Sequence, residues 1–242
     1  MPKIIVDIVL IAIILFCGWC GYKKGLIMGI GGVVVIIVSV LCANLLANTF
    51  SYEIVPVMRP FVSGYIETTL TNEEDGVLTE LGYDDEGYSL ADVLEQEPEL
   101  AKEIGLEAYR RFGLSADVAE QLSDEAIEHK KDSDRDLLYS LSEVFCQRVS
   151  RVACLILAFL LILIVLTVIG NITNLSFKLP NMDLLDDVGG ACLGVVRGIM
   201  FCLLITWALR YLGIVFGVGY LEETWLASGL MKANLFAKIL GV

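Results

Sequence analysis

The sequence predicts an all-α integral membrane protein with four transmembrane helices in two hairpins, an acidic and mostly helical insert between the hairpins, and a C-terminal amphipathic helix. The mean hydropathy is +0.71 and 56% of the 242 residues are hydrophobic, which is too apolar for an ordinary soluble domain. Four apolar stretches are each long enough to cross a hydrocarbon core of about 30 Å. The acidic residues are concentrated between the second and third stretches.

The first hairpin is predicted at residues 1–50, with spans at about 4–21 and 26–47. Only Tyr22–Gly25 separates the two spans, so they must run antiparallel. The first span contains one charge, Asp7, and the second contains none. No A-x-A-like cleavage site follows the first apolar run, so we expect a retained anchor rather than a cleaved signal peptide.

Residues 51–150 form the predicted insert, which holds 24 acidic and 8 basic residues. This balance of −16 leaves +3 on the rest of a chain whose net charge is −13. Such acidity argues against nucleic acid as a partner. Serine caps with acidic first turns predict helices, and no helix breaker lies between about Asp134 and the third span. Cys146 is the one cysteine in the insert, and the other six lie in or at the edges of the apolar stretches.

The second hairpin is predicted at residues 151–211, with spans at about 152–175 and 188–209. Arg197 lies near the middle of the fourth span, where an uncompensated cation costs from about 3 to beyond 10 kcal/mol. Asp7, which enters from the opposite side, is one candidate partner. The pair is either a structural ion pair that fixes helix register or a polar site that handles an ion, a proton or an anionic substrate.

The tail, residues 212–242, places its apolar residues on one helical face and is too polar to span a bilayer. It is predicted to be an amphipathic helix at the membrane interface or over the helical bundle, with Trp225 as an interfacial anchor.

Glycines recur at three- and four-residue steps in the first, second and fourth spans. Small residues at this spacing let helix backbones approach closely in lipid. They predict helix-packing faces within the chain, and a dimer interface is the alternative. The residues concerned are Gly18, Gly21, Gly25, Gly29, Gly190, Gly194 and Gly198.

Charged residues flank the spans at the predicted membrane surface. Lys23 and Lys24 lie between the first two spans, and Asp186 and Asp187 precede the fourth, where they could pair with these lysines. Short positive loops face the cytoplasm, so we expect the lysine turn inside and the insert outside.

Three segments together resemble the bacterial colicin V production protein (CvpA) family. They are Asp7, the turn Gly21-Tyr-Lys-Lys-Gly25-Leu-Ile27, and the run Asp186-Asp-Val-Gly-Gly190-Ala-Cys-Leu-Gly194-Val-Val-Arg197-Gly198. The resemblance implies a four-span, multi-pass protein of the bacterial plasma membrane, linked to toxin production or export and to envelope homeostasis. No catalytic residues can be carried over from it. The long acidic insert departs from the family pattern.

Three functions follow as alternatives. The first is a non-enzymatic accessory or scaffold protein, embedded in the lipid bilayer and partnered by another membrane protein or by itself through the glycine faces. The second is a small oligomeric transporter or channel that uses Arg197. The third, a membrane enzyme, has little to work with because His129 is the one histidine. We therefore predict no catalytic residues, no metal site and no cofactor.

Overall fold

The computed structural model describes residues 2–72, 76–83, 90–97, 99–133, 135–172, 183–211 and 229. All regular secondary structure in these ranges is helical. The helices are α1 (Pro2–Thr71), α2 (Val77–Glu80), α3 (Leu90–Gln96), α4 (Leu100–Arg111), α5 (Ala116–Ser133), α6 (Leu137–Ile172) and α7 (Asp183–Leu209). The predicted tail helix apart from residue 229, including Trp225, and the end of the third predicted span lie outside the described residues.

Three of the described helices are long and apolar enough to cross a membrane: α1 over Val6–Thr71, α6 over Leu137–Gly170 and α7 over Leu184–Leu209. The first two predicted spans both fall within α1. One residue of α1, Gly25, has non-helical backbone angles, with φ 80° and ψ 174°, so two helical segments meet there. The helix α6 continues without interruption from the insert into the third span, as the absence of a breaker predicted.

The described chain divides into two compact units. The first unit contains residues 2–49, 153–172 and 183–209, and the second contains residues 50–152 with 210 and 211. Residues of α1 and α6 belong to both units. The first unit carries the candidate site.

The second unit has a conventional apolar core, centred on the buried Tyr109 of α4. The hydroxyl of Tyr109 donates a 2.8 Å hydrogen bond to the carbonyl of Leu141 on α6, and its ring stacks on Phe145 with centroids 6.0 Å apart. Burial raises the pKa of Tyr109 well above its usual value near 10. Near this core, Arg59 of α1 donates from Nε to Glu143 of α6 at 2.7 Å, so an ion pair links two helices of the unit.

Candidate functional site

The break in α1 lies against the first turn of α7. Asp186 is buried, with 4% of its surface exposed, and its Oδ1 accepts a 2.8 Å hydrogen bond from the amide of Leu26. Leu26 is the first residue after the break, where a helix leaves amide donors unsatisfied. A carboxylate at this position acts as an N-cap, and it comes from a residue 160 positions away in the sequence.

Gly25 is required at the break for two reasons. Its backbone lies at φ 80° and ψ 174°, a region that essentially only glycine occupies. A Cβ at this position would also overlap the Asp186 carboxylate, lying 2.9 Å from its Cγ. The break and its cap therefore depend on the same small residue.

Backbone-to-backbone contacts join α7 to the segment of α1 before the break. A Cβ on Gly21 would lie 2.8 Å from the Cα of Gly194, and one on Gly194 would lie 3.0 Å from the Cα of Gly18. A Cβ on Gly198 would lie 2.8 Å from the Cα of Ile14. These distances are shorter than real side chains tolerate, so each glycine allows a close approach within the chain.

The order of these contacts changes at Gly25. Before the break, α7 meets α1 in descending order, from Gly190 against Gly21 to Gly198 against Ile14. After the break the order ascends. The side chain of Leu193 lies against Gly29, and that of Arg197 lies against Gly32.

Arg197 lies in a largely apolar setting. A Cβ on Gly32 would be 3.0 Å from its Nη1, and its guanidinium carbon is 5.7 Å from the centroid of the Phe201 ring. Its Nε is buried and finds no hydrogen-bond partner within the described part of the chain. Asp7 precedes Ile14 by seven residues, which is about 10 Å of helix. The Arg197–Asp7 pair stays a prediction.

A cleft of about 280 Å³ opens beside Arg197. Two cations, Lys24 and Arg197, line it together with two thiols, five apolar or glycine positions of α1 and α7, and two aromatic rings. The lining residues are Phe16, Cys17, Cys20, Gly21, Lys24, Met28, Gly29, Leu193, Gly194, Arg197 and Phe201. No carboxylate is among these lining residues.

The other charged residues predicted at the membrane surface lie in different environments. Lys23 is exposed and its Nζ lies 4.0 Å from the centroid of the Trp19 ring. Asp187 is half-buried on α7. Asp186 accepts a hydrogen bond from the backbone amide of Leu26, and its pairing with Lys23 or Lys24 stays a prediction.

Two features of the site escaped the sequence reasoning. The capping role of Asp186 has no local pattern, since its partner is distant in sequence. The contact of Gly32 with Arg197 could have been anticipated, because Gly32 continues the glycine series of α1, which runs in steps of three and four residues. Among the described residues, no group of three or more His, Cys, Asp or Glu side chains is arranged to hold a metal ion.

Comparison with known proteins gives one family. The model of the family described as colicin V production protein matches residues 114–234, which is half of the chain. The match includes the run from Asp186 to Gly198, whereas Asp7 and the turn at residues 21–27 lie before it. No curated protein and no solved structure matches the chain.

Proposed function

Because the chain belongs to the colicin V production protein family, we propose that it is a multi-pass protein of the bacterial plasma membrane with a non-enzymatic accessory or scaffold role. That role lies in the production or export of a peptide toxin, or in envelope homeostasis. The family match carries the proposal, and the packing of α7 against α1 supports the membrane architecture.

In this proposal α1 crosses the bilayer twice and turns at Gly25, so that the chain has four spans in two hairpins. The reversed order of α7 contacts on either side of Gly25 supports the turn. The segments 2–24 and 26–47 are about 34 and 33 Å long at 1.5 Å per residue, and either is enough for one crossing.

A scaffold role fits what the site residues do. The glycines bring backbones together, Gly25 forms the turn and Asp186 caps a helix, so these groups fix the relative positions of α1 and α7. The glycine contacts are made within the chain, which leaves the lipid-facing sides of the helices for a partner protein. His129 lies in the second unit, where its Nδ1 is 3.3 Å from the buried Ser140 hydroxyl.

The proposed topology is tested by labelling single cysteines in a cysteine-free variant. Cys146 is unsuitable because it is buried, so Tyr22→Cys and Glu120→Cys, at two exposed positions, are the better probes. A membrane-impermeant maleimide applied to intact spheroplasts should label Glu120→Cys, and Tyr22→Cys should react only after the membrane is opened. Equal labelling of both from outside would contradict the topology.

The proposed role is tested by complementation in a bacterial host that lacks its own family member and carries the colicin V genes. Secreted toxin is measured as growth inhibition of a sensitive strain. Gly194→Val should abolish secretion because its side chain would collide with backbone of α1, whereas Gly31→Val should not, since a Cβ there meets nothing within 4 Å. His129→Ala should also retain secretion. Loss of secretion by His129→Ala at an unchanged protein level would replace the scaffold role with an enzymatic one.

A second candidate function, a small oligomeric transporter or channel, is favoured by the cleft that holds Arg197 and Lys24. It predicts a flux of anions through vesicles that contain the purified protein, and a loss of that flux with Arg197→Leu. Vesicles that show no Arg197-dependent flux would remove this candidate.

A further inference from the structure

The cleft beside Arg197 has the composition of a site for an amphiphilic anion. Among the described residues that line it, the two charged side chains are both cations, Lys24 and Arg197, and most of the others are apolar or glycine. At about 280 Å³ it lies just below the usual range of small-molecule pockets, roughly 300–1,000 Å³. It can therefore receive a headgroup or a short segment of a ligand, while a larger ligand would extend beyond it.

The direction of the Arg197 side chain indicates at which end of the cleft the positive charge lies. Side chains on an α-helix point towards its N-terminus, and the N-terminal end of α7 is the end where Asp186 contacts Leu26. Lys24 lies next to this turn. Gly32, which the guanidinium approaches, is seven residues or about 10 Å beyond Gly25 along α1. Arg197 therefore extends towards the same membrane surface as Lys24, in the manner of a snorkelling cation.

The Arg197 charge requires compensation that the cleft lining does not contain. Among the described residues no carboxylate lines the cleft, Asp186 lies outside this lining and accepts from the amide of Leu26, and the Nε of Arg197 has no hydrogen-bond partner. A guanidinium binds phosphate oxygens in a bidentate geometry, and a nearby ammonium adds a second positive charge. The apolar walls formed by Phe16, Met28 and Leu193 suit the glycerol and first acyl carbons of a lipid.

We propose that this cleft binds the phosphate of an anionic membrane phospholipid, with Arg197 and Lys24 as the phosphate ligands. The inference rests on the proposed topology, because the turn at Gly25 must lie at a membrane surface for a headgroup to reach it. Basic pockets between transmembrane helices are a recognised form of lipid site. The bound lipid would neutralise Arg197 and hold α7 to both segments of α1.

The experiment measures lipids retained by the full-length protein in detergent, by native mass spectrometry during titration with dioleoylphosphatidylglycerol, dioleoylphosphatidylcholine or inorganic phosphate. Wild-type protein should retain phosphatidylglycerol in preference to phosphatidylcholine. Lys24→Gln should weaken phosphatidylglycerol binding about fivefold, which corresponds to one basic residue near an anionic surface, and Arg197→Met about tenfold or more. Lys23→Gln is the matched control, since Lys23 neighbours Lys24 but lies on the Trp19 ring outside the cleft lining. It should change binding less than twofold.

Each outcome decides the proposal. Equal reductions by Lys24→Gln and Lys23→Gln would show a diffuse surface attraction and overturn the site. Binding of inorganic phosphate with the same dependence on Arg197, and without a preference among lipids, would assign the cleft to free phosphate instead. The surface variant Lys24→Gln keeps the test valid if Arg197→Met does not fold. Cysteine labelling tests the topology independently of the lipid site. If labelling agrees with the proposed topology but the protein shows no preference among lipids, only the lipid site is overturned.

Discussion

The break in α1 at Gly25 gives the most direct prediction, because one substitution perturbs both its backbone and its cap. In Gly25→Ala the backbone must keep φ 80° and ψ 174°, at a cost of about 1–3 kcal/mol for a side-chain-bearing residue. The new Cβ would also displace the Asp186 carboxylate from Leu26, and losing an N-cap costs about 1 kcal/mol more. We expect a total loss of about 2–4 kcal/mol in the free energy of unfolding.

The assay is reversible unfolding in mixed micelles, with a denaturing detergent as titrant and tryptophan fluorescence as readout. Gly31→Ala is the matched control, because it lies in the same helix and its Cβ would meet nothing within 4 Å. It should be neutral or stabilising by up to about 1 kcal/mol, since alanine favours a helix over glycine.

Asp186→Ala separates the two contributions. Asp186→Ala removes the carboxylate with which the new Cβ of Gly25→Ala would collide, as well as the cap. It should therefore lower the free energy of unfolding less in the Gly25→Ala background than in the wild-type protein. If Gly25→Ala were as stable as Gly31→Ala, the strained backbone at Gly25 and its cap would both be wrong. If the effects of the two substitutions at Gly25 and Asp186 on the free energy of unfolding were strictly additive, the link between the break and its cap would be discarded.

Three further predictions concern charged and titratable groups. The predicted Arg197–Asp7 pair requires Arg197→Leu to be better tolerated with Asp7→Asn than without it, measured as the amount of folded protein in membranes; equal loss in both backgrounds would exclude the pair. Arg59→Met should destabilise the second unit by roughly 3 kcal/mol in thermal unfolding, because it leaves the buried Glu143 without its cation, and Arg59→Met with Glu143→Leu should recover most of that loss. The raised pKa of Tyr109 means that the unfolded chain releases this proton first; the contribution of Tyr109 to stability should be constant below about pH 10 and fall above it, and Tyr109→Phe should reduce the alkaline loss relative to wild type.

Much of the helical architecture follows from residues close together in sequence. The apolar runs predict the long helices, and the short polar interval before Gly25 predicts a break where the structure has one. The helix α6 could be extended into the insert because no glycine or proline interrupts residues 137–151. These signals are local, so periodicity, length and breaker residues are sufficient to read them.

Other features depend on which segments meet, and no local pattern encodes that. The glycine series allowed either packing within the chain or a dimer; the structure uses Gly21, Gly190 and Gly194 within the chain. The sequence presents Asp186 as a charge at the membrane surface. Its partner in the structure is a backbone amide, and because nearly every residue carries an amide, no sequence pattern identifies this partner. Cys146, the isolated cysteine of a charged segment, is fully buried, since it lies on the face of α6 that packs in the core of the second unit.

Two different negative charges could compensate Arg197, the Asp7 carboxylate and a lipid phosphate in the cleft. They lie towards opposite ends of α7. Asp7 precedes Ile14 on α1 and so lies on the side of Arg197 away from the break at Gly25. The cleft, in contrast, extends towards Lys24, next to that break. The two experiments on Arg197 therefore have different signatures. A pair with Asp7 makes the damage from Arg197→Leu depend on Asp7 and leaves the choice of lipid unchanged. A phosphate ligand makes lipid retention depend on Arg197 and Lys24, and Asp7→Asn does not alter it.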